Sequence, residues 1–144
     1  MLKPLQQWYC DVCGEIIEKP SDGYVIWKRG ADLKSSDFKI IHQGKCDLNS
    51  HIASSALSDF LGQDGMAYLT SFLSHGPVRV RLSGPSSCEI KDMDEFTDFF
   101  RRLQLPYYEE ARRRFSAPKV LERLSDWNEI APYFPDEMKK TIES

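Results

Sequence analysis

The chain has 144 residues, of which 41% are hydrophobic and 28% charged, and its formal net charge is -3. This balance is typical of one globular domain or two small lobes, and it excludes collagen-like and fully disordered chains. The negative net charge argues against tight nonspecific binding to duplex nucleic acid. No apolar run approaches the length of a membrane span, and the N-terminus lacks the apolar segment of a signal peptide. A cytoplasmic protein without membrane contact is therefore expected.

Residues 1–50 are predicted to form a small β-rich module. Two runs, residues 24–27 and 38–41, are enriched in β-branched and aromatic side chains, which favour strands. A Ser-Asp-Gly turn precedes the first run. The polar residues 30–36 connect the two runs, so the pattern predicts a hairpin with a loose loop.

Residues 51–144 are predicted to form a multi-helix lobe, which makes the fold class α+β. One exception is residues 78–82, Val-Arg-Val-Arg-Leu, whose strict alternation predicts a short half-buried strand. The clearest helix, residues 92–103, begins at Asp92, with Glu95 three residues later as in a capping box. Further helices are predicted at residues 50–61, 64–74, 106–115, 118–124, 126–131 and 136–142.

Four residues in two pairs have the spacing of metal ligands. Cys10 and Cys13 form a C-x2-C pair followed by a glycine, a spacing that turns two thiolates toward one ion. After the predicted hairpin, His42 and Cys46 form an H-x3-C pair. Such a Cys3His set closes a tetrahedron and leaves no coordination position open, so one structural Zn2+ per chain is predicted. Without a secretion signal, paired cysteines are also better explained by metal binding than by disulfides.

The order of these features resembles the treble-clef and zinc-ribbon class of zinc modules over residues 8–50. The resemblance implies a zinc-finger-like Cys3His module and reaches no narrower family. Proteins of this class bind DNA, RNA or other proteins, so it implies a metal and a fold element rather than an activity. The second pair has histidine first and three intervening residues, where ribbons often have C-x2-C. Ribbon and treble clef therefore both stay open.

Other cysteines and histidines allow alternative interpretations. The C-x2-C pair alone would suit a redox dithiol, but its flanking residues lack the expected βαβ pattern. Cys88 follows a Ser/Gly/Pro-rich turn at 83–87 and is predicted to be a free thiol. His51 and His75 lie at the ends of predicted elements and are expected to be solvated, with His51 the nearer spare ligand.

Residues 101–114 contain five arginines and two tyrosines, a combination that can follow a phosphate backbone and stack on bases. In a helix, however, Glu109–Arg113 and Glu110–Arg114 would be i,i+4 ion pairs on a solvated face. This pairing disfavours nucleic-acid binding as the main function. The arginines concerned are Arg101, Arg102, Arg112, Arg113 and Arg114.

Sequence signals for an enzyme are weak. The chain contains no G-x-S-x-G, Walker, H-E-x-x-H or G-x-G-x-x-G motif. The acidic residues at 92–98 suit the positive end of a helix dipole better than a metal site. A catalytic pair of Cys88 and His75 would require a contact that nothing in the sequence indicates. No catalytic residue is assigned.

These features favour a non-enzymatic interaction or regulatory protein that a structural zinc ion stabilises, with another protein as partner. One alternative is a nucleic-acid-binding regulator that uses the segment 101–114. The other is an enzyme with a structural zinc. Sequence features do not distinguish a monomer from an oligomer.

Overall fold

The computed structural model describes residues 1–83 and 88–144, and within them the fold is mixed α and β. The strands are β1 (Trp8–Tyr9), β2 (Ile16–Ile17), β3 (Gly23–Arg29), β4 (Ser35–His42) and β5 (Ala53–Ala56). The helices are α1 (Gly62–Leu73), α2 (Gly76–Ser83), α3 (Met93–Gln104), α4 (Tyr108–Ala111), α5 (Pro118–Leu124) and α6 (Pro135–Glu143). In these ranges, every helix is too short or too polar to cross a membrane.

The strands form two small antiparallel sheets. β3 is the central strand of the larger sheet, with β4 on one side and β5 on the other, while β1 and β2 form a separate ribbon. The pairing of β3 with β4 shifts register between Ile26 and Lys28, which marks a β-bulge. The strands predicted at 24–27 and 38–41 are confirmed within β3 and β4.

The main hydrophobic cluster, here called the aromatic core, packs helices α1 and α3 on the larger sheet. Phe38 of β4 lies in it, with its ring centroid 4.7 Å from Phe99 and 5.5 Å from Phe72. Edge-to-face and stacked aromatic pairs of this kind add to the stabilisation from apolar burial. Its other buried aromatic side chains are Trp8, Trp27, Phe60 and Phe96.

Residues 105–144, here called the C-terminal unit, have a smaller hydrophobic cluster of their own. Its buried residues are Tyr108 and Ala111 of α4 and Met138 and Ile142 of α6. The two clusters share no buried residue. The C-terminal unit is therefore joined to the rest of the molecule by other contacts, which are described with the metal centre.

The helix predicted at residues 50–61 is wrong. Residues 53–56 form β5, which pairs with β3, and Leu57–Phe60 form a 3-10 turn. The apolar spacing there is compatible with a helix, but the free edge of β3 offers backbone hydrogen bonds that a strand can use. The predicted boundary at residue 50 thus comes just before a strand of the larger sheet. Whether the two regions fold separately stays a prediction.

The strand predicted at residues 78–82 is also wrong, because these residues lie in helix α2. Alternation predicts a strand only where a neighbouring strand pairs with it. In the described ranges no strand pairs with this segment, and a helix satisfies the backbone locally instead. The turn predicted at 83–87 lies, apart from residue 83, outside the described residues.

The remaining helices follow the prediction in part. The helices at 64–74, 92–103, 118–124 and 136–142 are confirmed within one or two residues as α1, α3, α5 and α6. Asp92 caps α3 as predicted, because its carboxylate accepts a hydrogen bond from the Glu95 amide at 3.2 Å. The helix at 106–115 shrinks to α4, and the helix at 126–131 is absent from this described stretch.

Candidate metal centre

Two tight turns bring the four predicted ligands together. The Gly14 amide donates to the Cys10 carbonyl at 3.0 Å, which closes the first turn, here called the knuckle (residues 10–14). Gly14 and Gly44 both have positive φ, 78° and 84°, a conformation that glycine adopts without steric cost. The first turn therefore brings the Cys10 and Cys13 sulfurs close together, and the second turn follows His42 at the end of β4.

The ligand atoms of Cys10, Cys13, His42 and Cys46 all lie within 4.8 Å of one another, close enough to bind one metal ion. His42 Nδ1 is 3.3 Å from Cys13 Sγ and 3.8 Å from Cys46 Sγ. Zinc bonds of about 2.3 Å to sulfur and about 2.0–2.1 Å to nitrogen, at the tetrahedral angle, place such atoms about 3.6 Å apart. The two distances thus fit the edges of one tetrahedron.

The second nitrogen of His42 determines which ring atom can bind a metal. His42 Nε2 lies 3.1 Å from the carbonyl oxygen of Ile16 in β2. Because a carbonyl can only accept a hydrogen bond, Nε2 must carry the proton and donate it. The unprotonated Nδ1 then faces the cysteine sulfurs. Metal-binding histidines commonly have such a partner, which orients the ring and fixes its tautomer.

The thiols of the cluster differ in their tendency to ionise. Burial alone would raise the pKa of Cys10, but hydrogen bonds from the Cys13 and Val12 amides lower it to about 6. The amide nitrogens are 3.5 and 3.4 Å from Cys10 Sγ. Burial, together with the neighbouring Cys10 and Cys13 sulfurs, raises the pKa of Cys46 to about 11. The site therefore holds one ready thiolate, and a bound cation must ionise Cys46.

The candidate metal centre lies at the protein surface, with one of its three cysteines exposed to solvent. Cys10 and Cys46 are buried, whereas Cys13 is exposed. Three sulfurs and one imidazole nitrogen form a soft-to-borderline donor set that suits zinc. The residues therefore fit a four-coordinate metal in which the protein supplies every ligand.

The other predicted cysteine and histidine positions lie outside this group. Cys88 is half-buried against the aromatic core. His75 is near Glu89, with 3.1 Å between Nε2 and Oε1. The expectation that His51 is solvated is wrong: it is buried, between Ser50 Oγ and Asp37 Oδ2, each at 2.9 Å. His51 thereby holds the loop after Cys46 on the sheet and is not a spare ligand.

The arginine segment is arranged differently from the predicted solvated face. Glu109 and Glu110 are buried, and neither has an i,i+4 ion pair in the described ranges. Glu109 binds Arg102 through both carboxylate oxygens, at 2.6 and 2.9 Å, and Glu110 accepts from the Leu2 amide. Tertiary contacts thus replace the local pairs, because both carboxylates point into the molecule.

The remaining arginines mostly have partners as well. Arg112 donates from Nε to Asp98 Oδ1 at 3.0 Å. Arg101 and Arg113 stack on aromatic rings, with Cζ 3.7 Å from the Tyr133 centroid and 3.9 Å from the Tyr9 centroid. Such cation–π contacts hold the guanidinium groups against the protein. Only part of the segment's positive charge is therefore presented to solvent.

Arg102, which the sequence suggested as one of the arginines that could contact phosphate, instead lies near the metal centre. Its side chain is 4% exposed and bonds to Asp11, which lies between the two knuckle cysteines. An arginine in an amphipathic helix with acidic neighbours gives no sequence signal for such a contact.

No family model, curated protein or solved structure matches the chain.

Proposed function

We propose that the chain binds one zinc ion through Cys10, Cys13, His42 and Cys46, and that this ion is structural. The observation that carries the proposal is the His42 geometry, with Nε2 donating to Ile16 and Nδ1 aimed at the sulfurs. An imidazole held in this tautomer among three thiols has the form of a metal ligand. Four protein ligands leave no position for a substrate, which favours a structural ion over a catalytic one.

We expect elemental analysis of purified protein to give about one zinc per chain. Cys13→Ser should lose the metal, because three ligands no longer close the site. Cys88→Ser is the matched control, since it removes a thiol outside the group and should keep full zinc content. Purified wild-type protein without metal would contradict zinc binding. Metal-free protein that stays fully folded would contradict the structural role.

We further propose a non-enzymatic interaction or regulatory role with a protein partner. Support comes from helix α2, where Val78, Val80 and Leu82 are 66%, 52% and 78% exposed. Within the described residues, neither hydrophobic cluster includes a residue of α2. Val78 and Leu82, four residues apart, lie on the same face of α2, and an exposed apolar face is typical of surfaces that contact other proteins.

The interaction role can be tested by affinity purification of tagged protein from its source cells. Val78→Lys should lose specific partners that wild type retains. Met93→Lys is the matched control, because Met93 is also an exposed apolar residue of a helix, 51% exposed on α3. Identical partners for all three proteins, or none for wild type, would contradict a role of α2 in binding.

Nucleic-acid binding is the weaker alternative, because the arginines that suggested it contact Glu109, Asp98, Tyr9 and Tyr133. We expect fluorescence anisotropy with duplex and single-stranded oligonucleotides to show weak binding that collapses between about 50 and 150 mM salt. Sub-micromolar affinity at the higher salt, lost in Arg113→Ala with Arg114→Ala, would instead favour the regulator. Arg112 is left unchanged because it pairs with Asp98.

A further inference from the structure

The residues around the first metal ligand are bonded to the α3–α4 corner of the molecule. Trp8 Nε1 donates to the Arg102 carbonyl at 2.9 Å, and the Tyr9 amide donates to Glu109 Oε2 at 3.0 Å. Both bonds come from β1, immediately before Cys10. The chain segment that enters the metal centre is therefore also the segment that contacts the start of the C-terminal unit.

Arg102 completes this connection, and we name Arg102, Asp11 and Glu109 the arginine latch. Arg102 Nη1 donates to Asp11 Oδ2 at 2.7 Å, and Nη2 donates to the Tyr9 carbonyl at 3.3 Å. Its Nε and Nη2 groups form the two-pronged pair with Glu109 of α4. One guanidinium thus holds the knuckle with one edge and helix α4 with the other, a geometry that lysine cannot reproduce.

Asp11 links the knuckle to strand β4. It lies between the ligands Cys10 and Cys13, and it pairs with Ile40 of β4 through backbone and side chain. The Asp11 amide donates to the Ile40 carbonyl at 2.8 Å, and the Ile40 amide donates to Asp11 Oδ2 at 2.7 Å. A metal bound at Cys10 and Cys13 would hold the knuckle and, with it, the carboxylate that Arg102 requires.

The C-terminal unit is attached to the rest of the molecule largely by polar contacts around α4: besides the latch, Asp98 accepts from Tyr108 and Arg112, and Glu110 accepts from the Leu2 amide. Its own cluster buries only Tyr108, Ala111, Met138 and Ile142, and α6 packs on α4 and on the 3-10 turn at Ala131–Tyr133. Helix α4 in turn contacts β1 and α3. The unit is thus docked mainly through α4, at the place where the arginine latch and β1 meet.

We propose that metal occupancy controls the docking of the C-terminal unit, with the arginine latch as the connection. This inference rests on the proposed metal site. When the metal leaves, the knuckle is free to change shape and Asp11 can release Arg102, so that the Arg102 pair with Glu109 of α4 loses its support from the knuckle. The aromatic core includes Cys10 and Cys46, but its rings pack on one another across β4, α1 and α3, so we expect it to stay folded. The molecule is then a metal-dependent conformational switch.

Hydrogen exchange of the full chain, with zinc and after removal of zinc by a chelator, tests the proposal. We expect amides of α4 and α6 to exchange at least about tenfold faster without metal, within the usual range of coupling between sites. Amides of α1 and β3 in the aromatic core should change little. Equal exchange of α4 and α6 in both states would overturn the proposal, as would simultaneous loss of protection throughout the chain.

A matched pair of variants tests the latch itself. Asp11→Asn removes the charge that Arg102 binds, and we expect it to give fast exchange in α4 and α6 even with zinc bound. Asp98→Asn removes the charge that Arg112 binds in the same region, but Asp98 does not contact the knuckle. That control should keep the metal-dependent difference. If Asp11→Asn keeps the metal-dependent difference in exchange as fully as Asp98→Asn does, the latch does not connect metal binding to the C-terminal unit.

Zinc affinity gives a second readout, because coupling between two sites is reciprocal. If docking and metal binding stabilise each other, Asp11→Asn and Arg102→Lys should bind zinc about tenfold more weakly than Asp98→Asn in a chelator competition. Zinc content also separates the two hypotheses. Wild type without zinc would refute the proposed metal site, whereas bound zinc without any effect on α4 and α6 would refute the switch alone.

Discussion

The aromatic core and the C-terminal unit differ in how they are held together. The aromatic core draws buried side chains from both sheets and from α1 and α3, whereas the C-terminal cluster has four. Full burial of a large apolar side chain contributes about 1.5–3 kcal/mol, so the smaller cluster stabilises its region less. The C-terminal unit therefore depends more strongly on its contacts with the rest of the chain.

The same two regions differ in the chemistry of their contacts. Apolar packing dominates the aromatic core, but charged groups join the C-terminal unit to it. Burial alone would lower the pKa of Arg102, but its hydrogen bonds and ion pairs with Glu109 and its attraction to Asp11 raise the pKa above the ordinary value. The free energy of a buried charge depends strongly on its partners, because removal of one partner leaves the charge uncompensated. The stability of the C-terminal unit should thus respond to single charge changes, and that of the aromatic core to single volume changes.

The largest expected effect is that of Phe38→Ala in the aromatic core. Phe38 packs against Trp27, Phe72, Phe96 and Phe99, so its loss leaves a cavity and should lower the free energy of unfolding by about 3–5 kcal/mol. A urea titration followed by circular dichroism measures this change. Met138→Ala in the C-terminal unit is the comparison: its effect on the main transition should be much smaller. Equal effects would mean that the two regions unfold as one.

Arg102→Met should lower the free energy of unfolding by up to about 5 kcal/mol, because it leaves the buried Glu109 carboxylate without its partner. Unlike the loss of Phe38, this change should act first on α4 and α6. Hydrogen exchange resolved by peptide distinguishes a local from a global effect. Arg102→Lys keeps the positive charge and should therefore lower the free energy of unfolding by less. If Arg102→Met is as stable as wild type, charges do not hold the C-terminal unit in place.

Zinc binding should weaken as the pH falls. The metal-free pKa of Cys46 is raised to about 11, so at neutral pH the metal must displace its proton, and affinity should fall at least about tenfold per pH unit. Below about pH 6 the Cys10 thiolate also gains a proton, and the dependence should become steeper. Chelator competition between pH 5.5 and about 8 measures the slope. A flat profile would contradict thiolate ligation.

The smallest expected effect concerns Asp98, which joins α3 to Tyr108 and Arg112. Burial would raise the pKa of Asp98, but hydrogen bonds from Arg112 and Tyr108 lower it below the ordinary value. Its contribution is therefore present above the unfolded-state pKa and is lost as the pH falls through the lower folded-state pKa. Because Asp98 is about one-third exposed, we expect about 1 kcal/mol. In Asp98→Asn, the unfolding free energy of the C-terminal unit should lack this acid dependence.

The grouping of the four candidate ligands could be predicted because spacing within a short segment restricts geometry. A C-x2-C pair before a glycine has few ways to turn, and both ligand pairs lie next to the hairpin that joins them. The hairpin itself followed from β-branched and aromatic runs, which the structure has as β3 and β4. Local propensity and tertiary structure agree in this part of the chain.

Elsewhere, long-range contacts outweighed the local pattern. Residues 53–56 became a strand because β3 had a free edge, and residues 78–82 became a helix because no described strand pairs with them. The pairs predicted for Glu109 and Glu110 were replaced by Arg102 and by the Leu2 amide. In each case a distant partner decided between two conformations of similar local preference.

The sequence by itself determined the α+β class, the hairpin, most helices and the four residues that come together at the candidate metal centre. Each depends on spacing or periodicity over a few turns of chain, where covalent geometry limits the choices. Only the tertiary structure decided that Asp11 and Arg102, 91 positions apart, form one ion pair. The energy of that pair depends on its burial and on the groups around it, and neither can be derived from spacing in the sequence.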